Sequence, residues 1–193
     1  MATNDTICPM KNKFAFCCSY LLFALICTGE RLSLWSEGKI PNFQPQQIAA
    51  TTKEVKQAGF KREEHTIPYI EWFDAPTKKN GACMLLISGG GYKNCCDWRW
   101  IDRVAKKFTD LGYVCVSLTY RTPRPQGLPI YQSGWQDGQR AVRLVRQSAK
   151  KRGFDPEKIG VLGFSAGGHL TVLLSTSALS PAYDPVDAVD EIP

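Results

Sequence analysis

Gly163-Phe164-Ser165-Ala166-Gly167 sets a serine between small residues. Lys158 to Phe164 (KIGVLGF) precedes it as a short apolar strand pattern, and an apolar helix pattern runs from Ala166 to about Ala178. A serine on a sharp strand-to-helix turn is held in a strained backbone geometry with its hydroxyl displayed, and the flanking glycines clear the space for it. At a helix N-terminus the dipole and free N–H groups favour the negative charge that develops in acyl transfer. A second turn, Ser88-Gly89-Gly90-Gly91-Tyr92, follows the buried-looking run ACMLLIS, Ala82 to Ser88. Three glycines leave the backbone bare, so a substrate carbonyl can approach their N–H groups. With the amide of Ala166 these groups would form an oxyanion hole. No Gly-Lys-Ser/Thr follows the glycines, which argues against a phosphate loop.

These turns need elements to hold them. TIPYIEWFD, from Thr66, alternates as a half-buried strand closed by Ala75-Pro76. ACMLLIS is a continuous apolar run, the form of a parallel strand buried on both faces, and YVCVSLTY (Tyr113 to Tyr120) reads as another buried strand. Ile101, Val104, Ala105 and Phe108 recur at helical spacing within Trp100 to Leu111, with Gly112 at the cap. A second helix is expected over about Gln136 to Arg152. The order predicts an α/β fold, a mostly parallel sheet with helices on both faces. On the second helix, Arg140, Arg143, Arg146 and Lys150 share a face and are expected to be a solvated stripe.

Composition bounds the rest. The 193 residues suit one domain, and 44% hydrophobic against 22% charged residues excludes a disordered chain. The net charge of +6 is spread without a block of like charges, so no nucleic-acid partner is expected. Lys11 and Lys13 precede fourteen largely apolar residues, Phe14 to Cys27, and then Thr28-Gly29-Glu30. That is the pattern of a secretory signal peptide over residues 1–29, with Met10 an alternative start. As a helix the apolar stretch rises only about 21 Å, short of a bilayer core of about 30 Å. Secretion or a periplasmic location is therefore expected, with no membrane span in the mature chain, residues 30–193. Of eight cysteines, Cys8, Cys17, Cys18 and Cys27 fall in the leader, leaving Cys83, Cys95, Cys96 and Cys115. Cys83 and Cys115 sit in apolar runs as small core residues. Cys95-Cys96 lacks zinc-ligand spacing, so neither a metal nor a cofactor is expected.

From about Leu34 onward the chain resembles the α/β-hydrolases, in particular the secreted bacterial carboxylesterases related to acetylxylan and feruloyl esterases, and also the hormone-sensitive-lipase-like esterases. The resemblance rests on SGGGY, LTYR (Leu118 to Arg121), QDGQRAVRLVRQSAKKRGFDPEKIGVLGFSAGGHL and YDPVDAVDEIP. It implies Ser165 as nucleophile, Gly90, Gly91 and Ala166 as oxyanion donors, and a small ester or acylated plant polysaccharide as substrate. Ser88 stands where relatives have Pro or His. Tyr92, Trp98 and Trp100, with Tyr131 and Trp135, flank the site, and aromatic faces suit sugar or aryl groups.

The fold delivers its triad in the order Ser, Asp or Glu, His. Twenty-eight residues follow Ser165 and hold one histidine, His169, a single helical turn on. In the family that histidine is not the base, and local packing or a hydrogen bond to the adjacent loop is its expected role. His65 precedes the motif, and Asp184, Asp187, Asp190 and Glu191 fall in a stretch that is a loop in relatives. The sequence therefore reads as a C-terminally truncated hydrolase, with no triad acid or base, negligible turnover, and a bare sheet edge that promotes association. Two alternatives remain open at this point. One is a binding protein that has kept the pocket and lost turnover; the other is a serine peptidase of the prolyl-oligopeptidase type, which needs a large further domain.

Overall fold

The computed structural model describes residues 29–44, 55–57, 60–63, 67–75, 79–96, 98–177 and 179–193. All but Gly29 of the expected signal peptide, with its four cysteines, and His65 lie outside the described residues, as do the side chains of Cys96 and Trp98. In chain order the elements are β1 (Arg31–Ser33), β2 (Val55–Gln57), β3 (Phe60–Glu63), β4 (Tyr69–Phe73), β5 (Cys83–Ile87) and β6 (Cys95–Cys96). There follow α1 (Trp98–Asp110), β7 (Val114–Thr119), α2 (Gln132–Arg152), β8 (Ile159–Gly163), α3 (Ala166–Thr176) and a 3-10 helix, Ala188–Glu191.

The main sheet has the order β1-β4-β7-β5-β8, and β2, β3 and β6 form a separate antiparallel ribbon. β7, β5 and β8 are parallel, β4 is antiparallel to β7, and β1 is antiparallel to β4. Only β4 therefore runs against the others, and the expected mostly parallel α/β sheet is present. β5 is apolar throughout and β7 largely so because both sheet faces are covered. Leu85, Ile87, Val114 and Val116 pack with Ala141, Leu144 and Val145 of α2 and Leu170 of α3. Leu86 and Cys115, one residue out of phase, pack with Ile101 and Ala105 of α1 on the opposite face.

That two-sided covering places the site. After β5 the chain leaves for the α1 face, and after β8 it leaves for the α3 face, although β5 and β8 are neighbours. Turns that diverge from adjacent strand ends open a crevice at the C-terminal edge of the sheet, where α/β folds bind ligands. Both glycine-flanked turns lie there. The outer edge of β8 has no strand partner among the described residues.

Two expectations need correction. Helix α2 begins at Gln132, four residues ahead of the expected start, because Ser133 and Gly134 are weak helix formers that read as a turn or cap before the helix. Gly134 is there for space, since a Cβ would lie 3.1 Å from the Tyr92 ring. Nor is the arginine stripe solvated. Arg140 is 3% exposed and forks onto both carboxylate oxygens of Asp187 at 2.6 Å. It also reaches Asp190 at 3.0 Å, the Leu34 carbonyl at 2.9 Å and the face of Trp35. Arg143 donates to the Ile192 carbonyl and the Tyr183 hydroxyl, and Arg146 to the Pro193 carbonyl. Of the four only Lys150 is exposed. Helical spacing correctly gives one face, but residues 183–193 return across it with the matching carboxylates.

The Arg140 hydrogen bond holds the Asp187 carboxyl below its usual range, against a smaller opposing effect of burial. A lowered folded-state value stabilises the fold above the unfolded value of about 3.9 and loses that contribution as pH falls through the lowered value. The melting temperature is thus expected to fall on acidification below about pH 4. Asp187→Asn should make that acid limb shallower in a thermal melt series, and an unchanged limb would count against the assignment.

Candidate active site

At the end of β8 the Phe164 amide still pairs with the Ile87 carbonyl, at 3.1 Å. The chain then turns within one residue. Ser165 has φ 53° and ψ −116°, and α3 starts at Ala166. Positive φ in a non-glycine residue stores about 1–3 kcal/mol of strain, which the turn sustains through the Gly167 amide to Phe164 carbonyl bond of 2.8 Å. The two glycines of the motif are steric necessities. A Cβ on Gly163 would lie 2.1 Å from the Gly167 carbonyl oxygen, and one on Gly167 2.4 Å from that of Ile87. Ser165 is left exposed at the head of the helix.

The glycine turn after β5 is pressed against this elbow. A Cβ on Gly89 would lie 2.8 Å from the Phe164 carbonyl oxygen and 3.0 Å from Ser165 Cβ. Gly90 and Gly91 have φ of 140° and 64°, and Tyr92 follows at 59°. The Gly90 carbonyl accepts from the amides of Lys93 and Asn94, closing the turn. The amides of Gly90, Gly91 and Ala166 donate to no carbonyl among the described residues. Among the described residues these three N–H groups thus keep no backbone partner, on two turns that meet at Gly89 and the exposed Ser165.

The other expected residues divide. Tyr92 is 4% exposed, so it offers no open aromatic wall to a substrate. Its ring packs on Tyr120 and stands edge-on to His169, and its hydroxyl lies 3.1 Å from the Ala166 carbonyl oxygen and 2.9 Å from His169 Nδ1. Burial pushes that hydroxyl up to about 12, which keeps it protonated. A hydrogen bond between His169 and the adjacent loop is present. Trp100 is half-buried with its ring edge-on to Phe164. Tyr131, at the start of α2, packs against both Trp135 and His169. The Trp98 side chain lies outside the described residues. Asp187 and Asp190 are engaged with Arg140, Arg143 and Tyr183, away from the elbow. Burial pushes Cys83 and Cys115 up to about 12, so both are inert thiols of the core.

An unforeseen hub supports the rim. Arg121, just past β7, and Asp137 of α2 form a buried ion pair at 3.0 Å, with exposures of 4% and 0%. Asp137 also accepts from Trp35 Nε1 at 2.9 Å and from the Arg121 amide at 2.8 Å. Its signal in the sequence is faint: a charge at the end of a buried strand, and an acid one helical turn ahead of Ala141 on α2.

A β-strand, a strained serine, a helix and a facing glycine turn agree with a match to the BD-FAE family over residues 72–186. The chain belongs to the BD-FAE family. Its relatives include endo-1,4-beta-xylanase B of Butyrivibrio fibrisolvens, 38% identical over 88 residues, 46% of this chain and 14% of that protein. The acetylxylan esterase of Xylanibacter ruminicola is 28% identical over 124 residues, 60% of this chain and 25% of that protein. Among solved structures, the acetyl ester-xyloside bifunctional hydrolase of Caldicellulosiruptor lactoaceticus superposes with a TM-score of 0.58 at 30% identity, covering 79% of this chain and 48% of that one. A propionate-bound thermophilic esterase of Thermogutta terrifontis shares the fold, with a TM-score of 0.53 at 21% identity over 76% of this chain and 45% of its own. This BD-FAE chain spans a quarter or less of those curated relatives and about half of those solved structures. No described helix is long and apolar enough to cross a membrane.

Proposed function

We propose that this chain carries the nucleophile and oxyanion donors of a serine carboxylic-ester hydrolase acting on acetyl or feruloyl esters of plant polysaccharide. The observation that carries it is the exposed, positive-φ Ser165 packed against a turn with free amides. The Ser165 Oγ attacks the ester carbonyl carbon as its proton passes to a general base. The carbonyl oxygen takes the negative charge and is held by the amides of Gly90, Gly91 and Ala166. Each such donor contributes about 2.7–4 kcal/mol in comparable sites. The tetrahedral intermediate expels the alcohol, which takes up the proton, and water repeats the sequence on the acyl-enzyme.

Neither histidine of the sequence suits that base. His169 is tied to Tyr92 through Nδ1, and His65 precedes the motif. The 193 residues alone are then expected to turn over esters negligibly, because an unassisted serine hydroxyl is a weak nucleophile. The relatives' polysaccharide-related names support the substrate class, and the basic, apolar, small-residue order of residues 11–29 supports export as a secreted or periplasmic enzyme.

A fluorophosphonate probe tests the proposal, with imidazole supplied in solution as the missing base. Covalent capture should be slow without imidazole, faster with it, mapped to Ser165 by mass spectrometry, and absent in Ser165→Ala. Capture that survives Ser165→Ala would refute the nucleophile, and a wild-type chain that stays unlabelled would favour a binding protein.

A further inference from the structure

The Tyr92 hydroxyl bridges two parts of the site with a single proton. It lies 3.1 Å from the Ala166 carbonyl oxygen, which can only accept, and 2.9 Å from His169 Nδ1, which can do either. Were the hydroxyl proton turned toward Nδ1, two oxygen lone pairs would face each other across 3.1 Å. Were it turned toward Ala166, the hydroxyl oxygen would be free to accept from an Nδ1–H. Only the second arrangement makes both contacts attractive. Tyr92 belongs to the glycine turn and Ala166 to the head of α3, so this hydroxyl joins the two segments that supply the oxyanion donors. His169 lies four residues beyond Ser165 on the same helix face, its amide bonded to the Ser165 carbonyl at 3.0 Å, and its ring is flanked by Tyr92 and Tyr131.

We propose that Tyr92 and His169 are a positioning pair for the acyl-transfer site: Nδ1–H of His169 donates to the Tyr92 hydroxyl, which donates to the Ala166 carbonyl and fixes the glycine turn against the start of α3. The pair rests on the reading of Ser165 as nucleophile for its catalytic meaning, though not for its hydrogen bonding. It sets the spacing of the Gly90, Gly91 and Ala166 amides. It also leaves His169 Nε2 as an acceptor, since the hydrogen bond made by one ring nitrogen fixes the state of the other.

Ring nitrogen-15 NMR of the full chain decides it, by magic-angle spinning if the chain associates. The measurement is made near pH 8, above the ordinary imidazole value of about 6.5. With two histidines in the chain, His65→Gln isolates the His169 signals. Wild type is expected to show a protonated Nδ1 and an unprotonated Nε2, and Tyr92→Phe to lose that preference. A protonated Nε2 in wild type overturns the pair without any variant, and so does a Tyr92→Phe spectrum equal to wild type. In the imidazole-assisted capture assay Tyr92→Phe should slow labelling of Ser165 by about tenfold to 100-fold, the scale of an ångström-level misplacement. Equal rates would leave the pair without a positioning role. A wild-type chain that resists labelling would remove the nucleophile reading, while the tautomer would still decide the hydrogen-bonded pair.

Discussion

Asp137→Ala is expected to destabilise the fold by about 3–5 kcal/mol, the range for removing one partner of a buried ion pair. Asp137 is fully buried and satisfies three donors at once: Trp35 Nε1, the Arg121 amide and the Arg121 guanidinium. The guanidinium also donates to the carbonyls of Pro41 and Ser133 and to Gln136 Oε1. Gln136 in turn holds Asn42 and the Ala182 carbonyl. Truncating the acid leaves a buried cation without its charge partner at the junction of the N-terminal segment, β7, α2 and the loop after α3. At roughly 2–4 °C per kcal/mol for a chain of this size, the melting temperature should drop by about 6–20 °C. Trp35→Phe removes one donor and leaves the ion pair, so its loss should be smaller, about 1–3 kcal/mol including the lost ring packing. A melt in which Asp137→Ala loses less than Trp35→Phe would contradict this account.

That hub also marks where the sequence stops being informative. The two central strands were legible because burial on both faces leaves a simple trace, a largely apolar run, which in β5 is ended by glycines. Ser165 was legible because its turn excludes Cβ atoms at 163 and 167, so steric demand is written as residue type. Arg121, Asp137 and Arg140 are charged residues that read as surface by type. Their burial depends on partners 12 to 106 positions away, and no local period records such a pairing. Tyr92 misled in the opposite sense. An aromatic next to a glycine turn resembles a substrate wall, yet Gly134 on a distant helix makes the room that lets its ring sink into the core. Helix α2 began early for a related reason, since Ser133 and Gly134 are helical through what they pack on rather than through propensity.

Gly89→Ala tests whether the glycine turn acts through its distance from the elbow or only through its backbone freedom. Gly89 is not in the left-handed region, so alanine suits its backbone. The new methyl would instead meet the Phe164 carbonyl oxygen at 2.8 Å and Ser165 Cβ at 3.0 Å, and backbone cannot swing aside as a flexible side chain can. Overpacking of this kind costs about 1–3 kcal/mol, which a folded chain can absorb. Relief comes from moving the turn outward, which carries the Gly90 and Gly91 amides away from Ser165. With about 100-fold lost for a 1 Å displacement, imidazole-assisted capture of the fluorophosphonate should fall by roughly two orders of magnitude. Gly91→Ala is the contrasting variant. Its φ of 64° strains an alanine by about 1–3 kcal/mol, but a Cβ there meets nothing within 4 Å and the N–H remains. It should lose melting temperature while its capture rate falls far less than that of Gly89→Ala. If instead Gly91→Ala proves the more damaging to capture, backbone conformation at the glycines governs the site, and the close approach of Gly89 to Ser165 is only packing.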